Sequence, residues 1–183
     1  MTWDLPLEVN INGKNHPIRN QCDYRVVLDA ISALNDNKLT NEEKIKCALY
    51  IFYEDIGAIE DFETAIKEMF EIINGGEEEE SQEQKPSLME WEHDFPQIAP
   101  PISRVLGYDI RTPNKYTHWY TFLGGYMEIG ECTFSTIVSI RSKRMKGKKL
   151  DDWEKEYIRE HRKTVELPRK LTAEEQEFLD SDW

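Results

Sequence analysis

The side chains best suited to acid–base or metal chemistry are grouped near the middle of the chain. Glu90, Glu92 and Asp94 surround His93, and in a pocket such a group can transfer protons or bind a metal ion. Proton transfer requires a site that shifts the pKa of the catalytic group, and the neighbouring sequence predicts no such site. We therefore interpret these residues as the solvated edge of an acidic segment.

A second histidine, His118, precedes Trp119 and has no neighbouring nucleophile or carboxylate to orient it. It is interpreted as a packed or surface histidine. Gly124-Gly125 lies within a predicted helix and lacks the pattern of a phosphate-binding loop, so it indicates close helix packing or a kink. The three cysteines are far apart and form no CxxC pair, which is typical of reduced thiols. No enzyme activity, metal site or cofactor is predicted.

The net charge of −13 is concentrated in one block, since residues 60–95 carry two basic and thirteen acidic side chains. Such a chain would repel a phosphate backbone, so nucleic acid is not an expected partner. Residues 141–149 hold six basic groups and are interpreted as a solvated helix end and loop that could also contact the acidic block. A nucleic-acid patch is the less favoured alternative. No apolar run is long enough to cross a membrane.

The N-terminal part is predicted to be a β-hairpin followed by helices. Leu7–Ile11 alternates in polarity, Asn12-Gly13 favours a tight turn, and residues 14–19 return as the second strand. Helices are expected after Asp23, after the capping box of Thr40 with Glu43, and from about Asp61. Phe62 is expected on the buried face of the third helix, which Asn74-Gly75-Gly76 ends.

Residues 75–87 contain no apolar side chain and are predicted to be a flexible acidic linker. The following helices are expected from Pro100 or Pro101 to Gly107, and over 116–129, 133–143 and 151–163. Trp153, Tyr157 and Ile158 are expected to face inward, and a terminal helix begins after the capping box of Thr172 with Glu175. The fold class is thus mainly α, with domains at 1–74 and 88–183 joined by the linker.

Aromatic residues crowd the second lobe. Most must lie in the core, but a lobe this small cannot hide all of them, and exposed aromatic surface is typical of protein-binding faces. The predicted protein-binding residues are Trp91, Phe95, Trp119, Tyr120, Phe122, Tyr126, Phe134 and Trp153.

The order of these aromatics resembles the tail assembly chaperones of long-tailed bacteriophages that infect Gram-positive bacteria. The shared features, over roughly residues 88–165, are an acidic segment at Met89–Phe95, the sequence His118-Trp119-Tyr120-Thr121-Phe122, Thr133-Phe134-Ser135 and a Lys/Gly loop before Leu150.

The resemblance implies a protein that binds the tape-measure protein during tail assembly. It implies several copies along the partner or a homo-oligomer, a location in the host bacterial cytoplasm, and absence from the mature virion. High negative charge would keep such a complex soluble. The alternative is an acidic mimic of DNA that inhibits a nucleic-acid-binding protein, which the charge of residues 60–95 suggests.

Overall fold

The structure is a computed structural model that describes residues 4–76 and 87–168. Within these residues the chain is mainly α-helical with one small antiparallel hairpin, as predicted. The strands are β1 Glu8–Ile11 and β2 Lys14–Pro17, and the helices are α1 Tyr24–Asn35, α2 Asn41–Phe52, α3 Phe62–Ile73, α4 Trp91–Leu106, α5 Trp119–Met127, α6 Thr133–Met145, α7 Asp152–Glu160 and α8 Arg162–Val165. Short 3-10 turns occur at Arg19–Cys22 and Ile56–Ala58.

The described residues form two compact units. Unit 1 contains residues 4–76 and 116–123, and unit 2 contains residues 87–115 and 124–168. The grouping places residues 116–123 with the N-terminal part of the chain. The predicted domains at 1–74 and 88–183 stay a prediction. Most of the predicted linker and the whole predicted terminal helix lie outside the described residues.

The predicted hairpin is present in unit 1. Asn12 and Gly13 have φ angles of 52° and 84°, which suit the two-residue turn that matches the twist of the flanking strands. The register pairs Ile11 with Lys14 and Val9 with His16. Val9 and Ile11 are buried, whereas Glu8 and Asn10 are exposed, so the hairpin has one core-facing side.

The helix starts predicted for unit 1 are confirmed by their caps. The Asp23 side chain accepts from the Arg25 N–H, and Thr40 and Glu43 form a reciprocal capping box. Gly75 has a φ of 75° directly after α3, a conformation that glycine adopts without strain. Phe62 was predicted on the buried face but is 49% exposed, because α3 buries the stripe of Ala65, Met69 and Ile72 instead.

The predicted start of α4 at Pro100 or Pro101 is wrong. The helix begins at Trp91 and contains Pro96, Pro100 and Pro101, although each proline removes one backbone hydrogen bond. The helix persists because one of its faces, which includes Ile98, Ala99 and Ile102, is buried against the rest of unit 2. Packing of that face compensates for the missing bonds.

The last helices of unit 2 differ from the predictions at their ends and in one buried face. Residues 151–163 form α7 and α8 with a break at His161, not one helix. Trp153 was predicted to face inward but is 55% exposed. Only Tyr157 and Ile158 of the predicted set pack on the small core of Ile137, Ile140 and Val165.

Of the two glycines of α5, Gly125 permits close packing against α4, one of the two roles predicted for the pair. A Cβ atom at Gly125 would lie 3.1 Å from Ile102 Cγ2 and 3.3 Å from Leu106 Cγ, both on α4. These distances are shorter than ordinary carbon–carbon contacts, so a larger side chain would push α4 away. Gly124 faces open space.

Candidate protein-binding surfaces

A buried ion pair organises unit 2. Arg141 Nη1 donates to Asp94 Oδ2 at 2.7 Å, and Arg141 Nη2 donates to Asp94 Oδ1 at 2.8 Å. The Asp94 residue is fully buried and Arg141 is 7% exposed. The two parallel bonds match the planar guanidinium to the carboxylate, the geometry that makes such pairs strong and specific.

The same guanidinium also joins separate chain segments. Its N–H groups donate to the backbone carbonyls of Leu88, Thr164 and Val165 at 2.7–2.9 Å. Arg141 therefore connects the segment before α4, the helix α6 that carries it, and α8. It is the main polar element of the interior of unit 2.

The interpretation of both segments as solvated was wrong at these two residues, whereas the contact that residues 141–149 could make with the acidic block of residues 60–95 is present as this pair. Asp94 is not at a solvated edge, and Arg141 is not part of a solvated helix end. A carboxylate and an arginine that are 47 residues apart give no sequence signal of pairing. At the level of single residues, Asp94 lies four residues before Ile98, which places it on the apolar face of an amphipathic helix.

The next two basic side chains of residues 141–149, Lys143 and Arg144, are also paired with acidic residues. Lys143 Nζ lies 2.8 Å from Glu154 Oε1 and 3.2 Å from Asp151 Oδ2, and Arg144 lies 3.7 Å from Glu166. Lys146, Lys148 and Lys149 follow in an exposed turn. Arg141 is thus buried, Lys143 and Arg144 have acidic neighbours, and of the six basic groups only Lys146, Lys148 and Lys149 lack an acidic partner in the described residues, which weakens the case for a phosphate-binding patch.

His118 is buried in unit 1, in agreement with the interpretation as a packed histidine. Its Nε2 lies 2.9 Å from the Pro6 carbonyl, and its Nδ1 accepts the Tyr120 N–H at 3.0 Å. The neutral tautomer with hydrogen on Nε2 satisfies both contacts. Burial lowers the pKa of His118 below its ordinary value, because burial disfavours the charged form.

Two of the three predicted aromatic residues that follow His118, Trp119 and Phe122, belong to the core of unit 1. The Trp119 ring stacks on Phe122 at 5.5 Å, and Phe122 stacks on Tyr24 at 4.6 Å. Trp119 Nε1–H donates to the Ile73 carbonyl. Trp119 and Phe122 are at most 1% exposed, so they contribute to the packing of the core of unit 1.

Tyr120 is half-buried in the same unit. Burial raises the pKa of its hydroxyl to about 12. The Tyr120 hydroxyl oxygen lies 3.2 Å from the place where a Cβ at Gly76 would be. Tyr120 therefore offers only part of its ring to solvent.

In unit 2, three of the predicted aromatics lie together. The Tyr126 ring is 5.1 Å from Trp91 and 6.1 Å from Phe134, and its hydroxyl contacts Met89 Sδ at 3.1 Å. Phe134 is 2% exposed, whereas Trp91, Tyr126 and Phe95 are half-buried. The cluster links α4, α5 and α6 and leaves part of its surface accessible.

Trp153 is the most accessible of the eight predicted residues. It lies on α7, Tyr157 follows it by four residues, and His161 is the residue that directly follows α7; the Tyr157 and His161 rings are 4.5 Å apart. Residues four apart share one helix face. We call this row of Trp153, Tyr157 and His161 the α7 stripe. Exposed Glu156 and Glu160 lie beside it in the sequence.

The described residues contain no group of three or more histidine, cysteine or acidic side chains placed to hold a metal ion. Burial raises the pKa of the Cys22 thiol to about 12, so this thiol is a poor nucleophile. None of the helices in the described ranges has the length and apolar character needed to span a bilayer.

The fold and surface thus define a small, mainly helical protein with aromatic surface on its helices. The chain belongs to the family of bacteriophage Gp15 proteins, whose family profile matches residues 1–167. No curated protein and no solved structure showed significant similarity to it.

Proposed function

We propose that this bacteriophage protein is a tail assembly chaperone that binds and solubilises the tape-measure protein in the host cytoplasm and is left out of the mature virion. The observation that carries the proposal is the exposed Trp153 at the end of the α7 stripe. It lies in the part of the sequence that resembles such chaperones, within a chain of bacteriophage origin.

The surface chemistry of α7 suits an amphipathic helical partner. A tryptophan half exposed on a helix can insert between the side chains of an apposed helix, and tryptophan is enriched among residues that dominate binding energy. An unassembled tape-measure protein exposes long amphipathic surface that aggregates unless it is covered.

Several weakly bound copies suit the task better than one tight complex. The chaperone has to leave when the tail tube forms, and weak sites repeated along one partner give high combined affinity that is lost stepwise. The net charge of −13 keeps a partner coated with many copies in solution. On this proposal the chain acts by binding and has no catalytic role.

The direct test is co-expression with the long helical protein encoded beside this chain. The wild-type chain is expected to keep that protein soluble and to co-purify with it. Trp153→Ala should lower the affinity about thirtyfold, the size expected for a binding-energy hot spot.

Met127→Ala is the matched control, because Met127 is a 72% exposed apolar residue of unit 2 that is not part of the α7 stripe. It should bind like the wild type. Equal affinity for all three proteins would exclude the stripe as the contact, and failure of the wild type to co-purify would exclude the chaperone function.

The DNA-mimic alternative rests on the acidic residues 60–95, and it predicts a different response to salt and charge. Binding to a basic partner would collapse at high salt, and neutralising Glu77, Glu78, Glu79 and Glu80 would abolish it. Binding by apolar contact survives both changes. Asp94, one acid of this block, is already neutralised by Arg141 in the interior, which reduces the charge available for mimicry.

A further inference from the structure

The hairpin of unit 1 has backbone groups that its own ladder does not use. The register places Glu8 opposite Pro17 and Asn10 opposite Asn15, while the Ile18 N–H donates to the Leu7 carbonyl. Residues 7, 9 and 11 therefore direct their backbone groups toward β2, and alternate residues direct theirs away. The N–H and C=O of Glu8 and Asn10 point outward from β1.

The outer edges of the two strands differ. On β2, Pro17 has no N–H and its carbonyl accepts from the Glu54 N–H at 3.2 Å. On β1, no residue of the described ranges hydrogen-bonds to the backbone of Glu8 or Asn10 outside the hairpin, and both residues are exposed. We call the outward backbone of Glu8 and Asn10 the β1 edge.

The β1 edge is short, and both of its ends are defined. Pro6 is the next outward-facing residue toward the N-terminus; it has no N–H, and its carbonyl is bonded to His118 Nε2. At the other end Asn12 enters the turn with a φ of 52°. Two residues remain whose four outward backbone groups have no hydrogen-bond partner within residues 4–76 and 87–168, and an edge of this kind is a template for another strand.

We propose that two copies of this chain pair through the β1 edge, antiparallel and symmetric about Val9. Glu8 of each copy then exchanges two backbone hydrogen bonds with Asn10 of the other, and the two hairpins form a four-stranded sheet. A two-fold contact of this kind uses the same surface on both copies.

The side chains favour this register over its neighbours. On the exposed face, each Glu8 carboxylate lies opposite an Asn10 amide of the second copy; Asn10 Nδ2 donates one hydrogen to Asn15 of its own hairpin, and its second hydrogen can be donated to that carboxylate. On the core-facing side, Leu7, which is 44% exposed in one copy, lies opposite Ile11 of the second copy and is covered. A shift that paired Glu8 with Glu8 would oppose two carboxylates, and a shift that paired Asn10 with Asn10 would leave Leu7 opposite Gly13.

The test compares the full-length wild type, Glu8→Pro and Glu8→Gln by sedimentation over a concentration series. Wild type and Glu8→Gln should dimerise equally, because glutamine keeps the backbone donor and changes only an exposed side chain. Glu8→Pro removes one donor per copy, thus two bonds per dimer, and should weaken dimerisation at least about tenfold. The hairpin ladder needs no donor from residue 8, so the circular dichroism spectrum should not change.

A disulfide test does not depend on the proline variant. Val9 lies on the two-fold axis as a non-hydrogen-bonded pair with Cα atoms about 4.5 Å apart, within reach of a disulfide. Val9→Cys should form an oxidised dimer. Ile11→Cys, another buried hairpin position, should not, because it would lie opposite Leu7; the wild type controls for the three native cysteines.

Monomeric wild type at all concentrations would overturn the proposal, as would equal dimerisation of all three proteins. A monomeric wild type whose capture of the tape-measure protein is lost in Glu8→Pro would assign the edge to a strand of the partner instead. The pairing is independent of the chaperone function, since it involves unit 1 and the α7 stripe lies in unit 2.

Discussion

Asp94 and Arg141 bring opposite charges into the interior of unit 2, where each neutralises the other. Taking a charge out of water costs several kcal/mol, and only a partner with good geometry offsets that cost. The bidentate contact supplies this geometry, and three backbone carbonyls satisfy the remaining guanidinium hydrogens. The pair therefore stabilises the interior of unit 2, and neither charge is available at the surface.

Asp94→Asn should lower the free energy of unfolding by about 3 kcal/mol, because it leaves Arg141 charged and buried without a counterion. We expect the low end of the range for broken buried pairs, since the backbone carbonyls still accept from Arg141. Urea denaturation followed by circular dichroism measures the change. Asp152→Asn removes an acid whose side chain is fully exposed and pairs at the surface with Lys155, and it should change stability by less than about 1 kcal/mol; equal effects of the two variants would contradict the role assigned to the pair.

His118 gives unit 1 a stability that depends on pH. Its pKa is lowered in the folded chain from an ordinary value of 6.5, so below that pH the unfolded state binds more protons. The stability that the neutral His118 contributes is therefore fully present above about pH 6.5, and it is lost as the pH falls from there toward the lowered pKa. Protonation of Nδ1 would also place a hydrogen against the Tyr120 N–H.

His118→Asn should flatten this pH dependence, because an asparagine oxygen can accept the Tyr120 N–H and does not titrate. The measurement is the free energy of unfolding from neutral pH to about pH 5, compared between variant and wild type. Parallel curves for the two proteins would show that other groups cause the acid sensitivity.

At the scale of elements, α4 shows how packing overrides local preference. Proline in a helix interior costs about 3 kcal/mol relative to alanine, and α4 holds three prolines. The buried face of the helix and the closely packed Gly125 of α5 compensate for this cost. The Gly107 cap, with a φ of 77°, then ends the helix at the predicted position.

Pro100→Ala should stabilise the protein by about 2 kcal/mol. The alanine regains the backbone donor, and part of the gain is lost because the unfolded chain becomes more flexible. Pro100 is exposed, so no packing is removed. Thermal unfolding measures the effect, with Pro101→Ala as the comparison: Pro101 is buried, so that variant should gain less. A destabilised Pro100→Ala would indicate that the ring has a contact role of its own.

At the scale of the whole molecule, the predicted aromatic residues have different roles in the two units. Trp119 and Phe122 form the core of unit 1, Trp91, Tyr126 and Phe134 form a cluster in unit 2, and Trp153 is exposed. A protein-binding role for all eight stays a prediction. The accessible residues are those through which a partner could be bound without unfolding.

Trp119→Ala and Trp153→Ala should separate folding from binding. The first should lower the free energy of unfolding by about 3–5 kcal/mol, because it opens a cavity in the core of unit 1. The second should change stability by less than about 1 kcal/mol, since an exposed side chain makes few contacts. Denaturant unfolding of both variants tests this; a large loss of stability in Trp153→Ala would mean that its effect on capture is a folding effect.

The sequence by itself determined the mainly helical fold class, the hairpin and its turn, and the starts of α1, α2 and α3. These features depend on local chemistry: the Asn12-Gly13 turn, the Asp23 cap and the Thr40 with Glu43 capping box each involve residues within a few positions. The resemblance of residues 88–165 to phage proteins could also be recognised from the order of the aromatic residues, and the family match confirms the bacteriophage origin.

Only the tertiary structure decided where α4 begins, which aromatics are buried, and that Asp94 and Arg141 form a pair. Each depends on residues distant in sequence: the face that stabilises α4 against its prolines, the stacking of Phe122 on Tyr24, and the approach of α6 to the start of α4. Hydrophobic periodicity shows that a helix has an apolar face, but it does not show how much of that face is buried in the folded protein. Trp153 was therefore expected to face inward on its helix and is exposed in the fold.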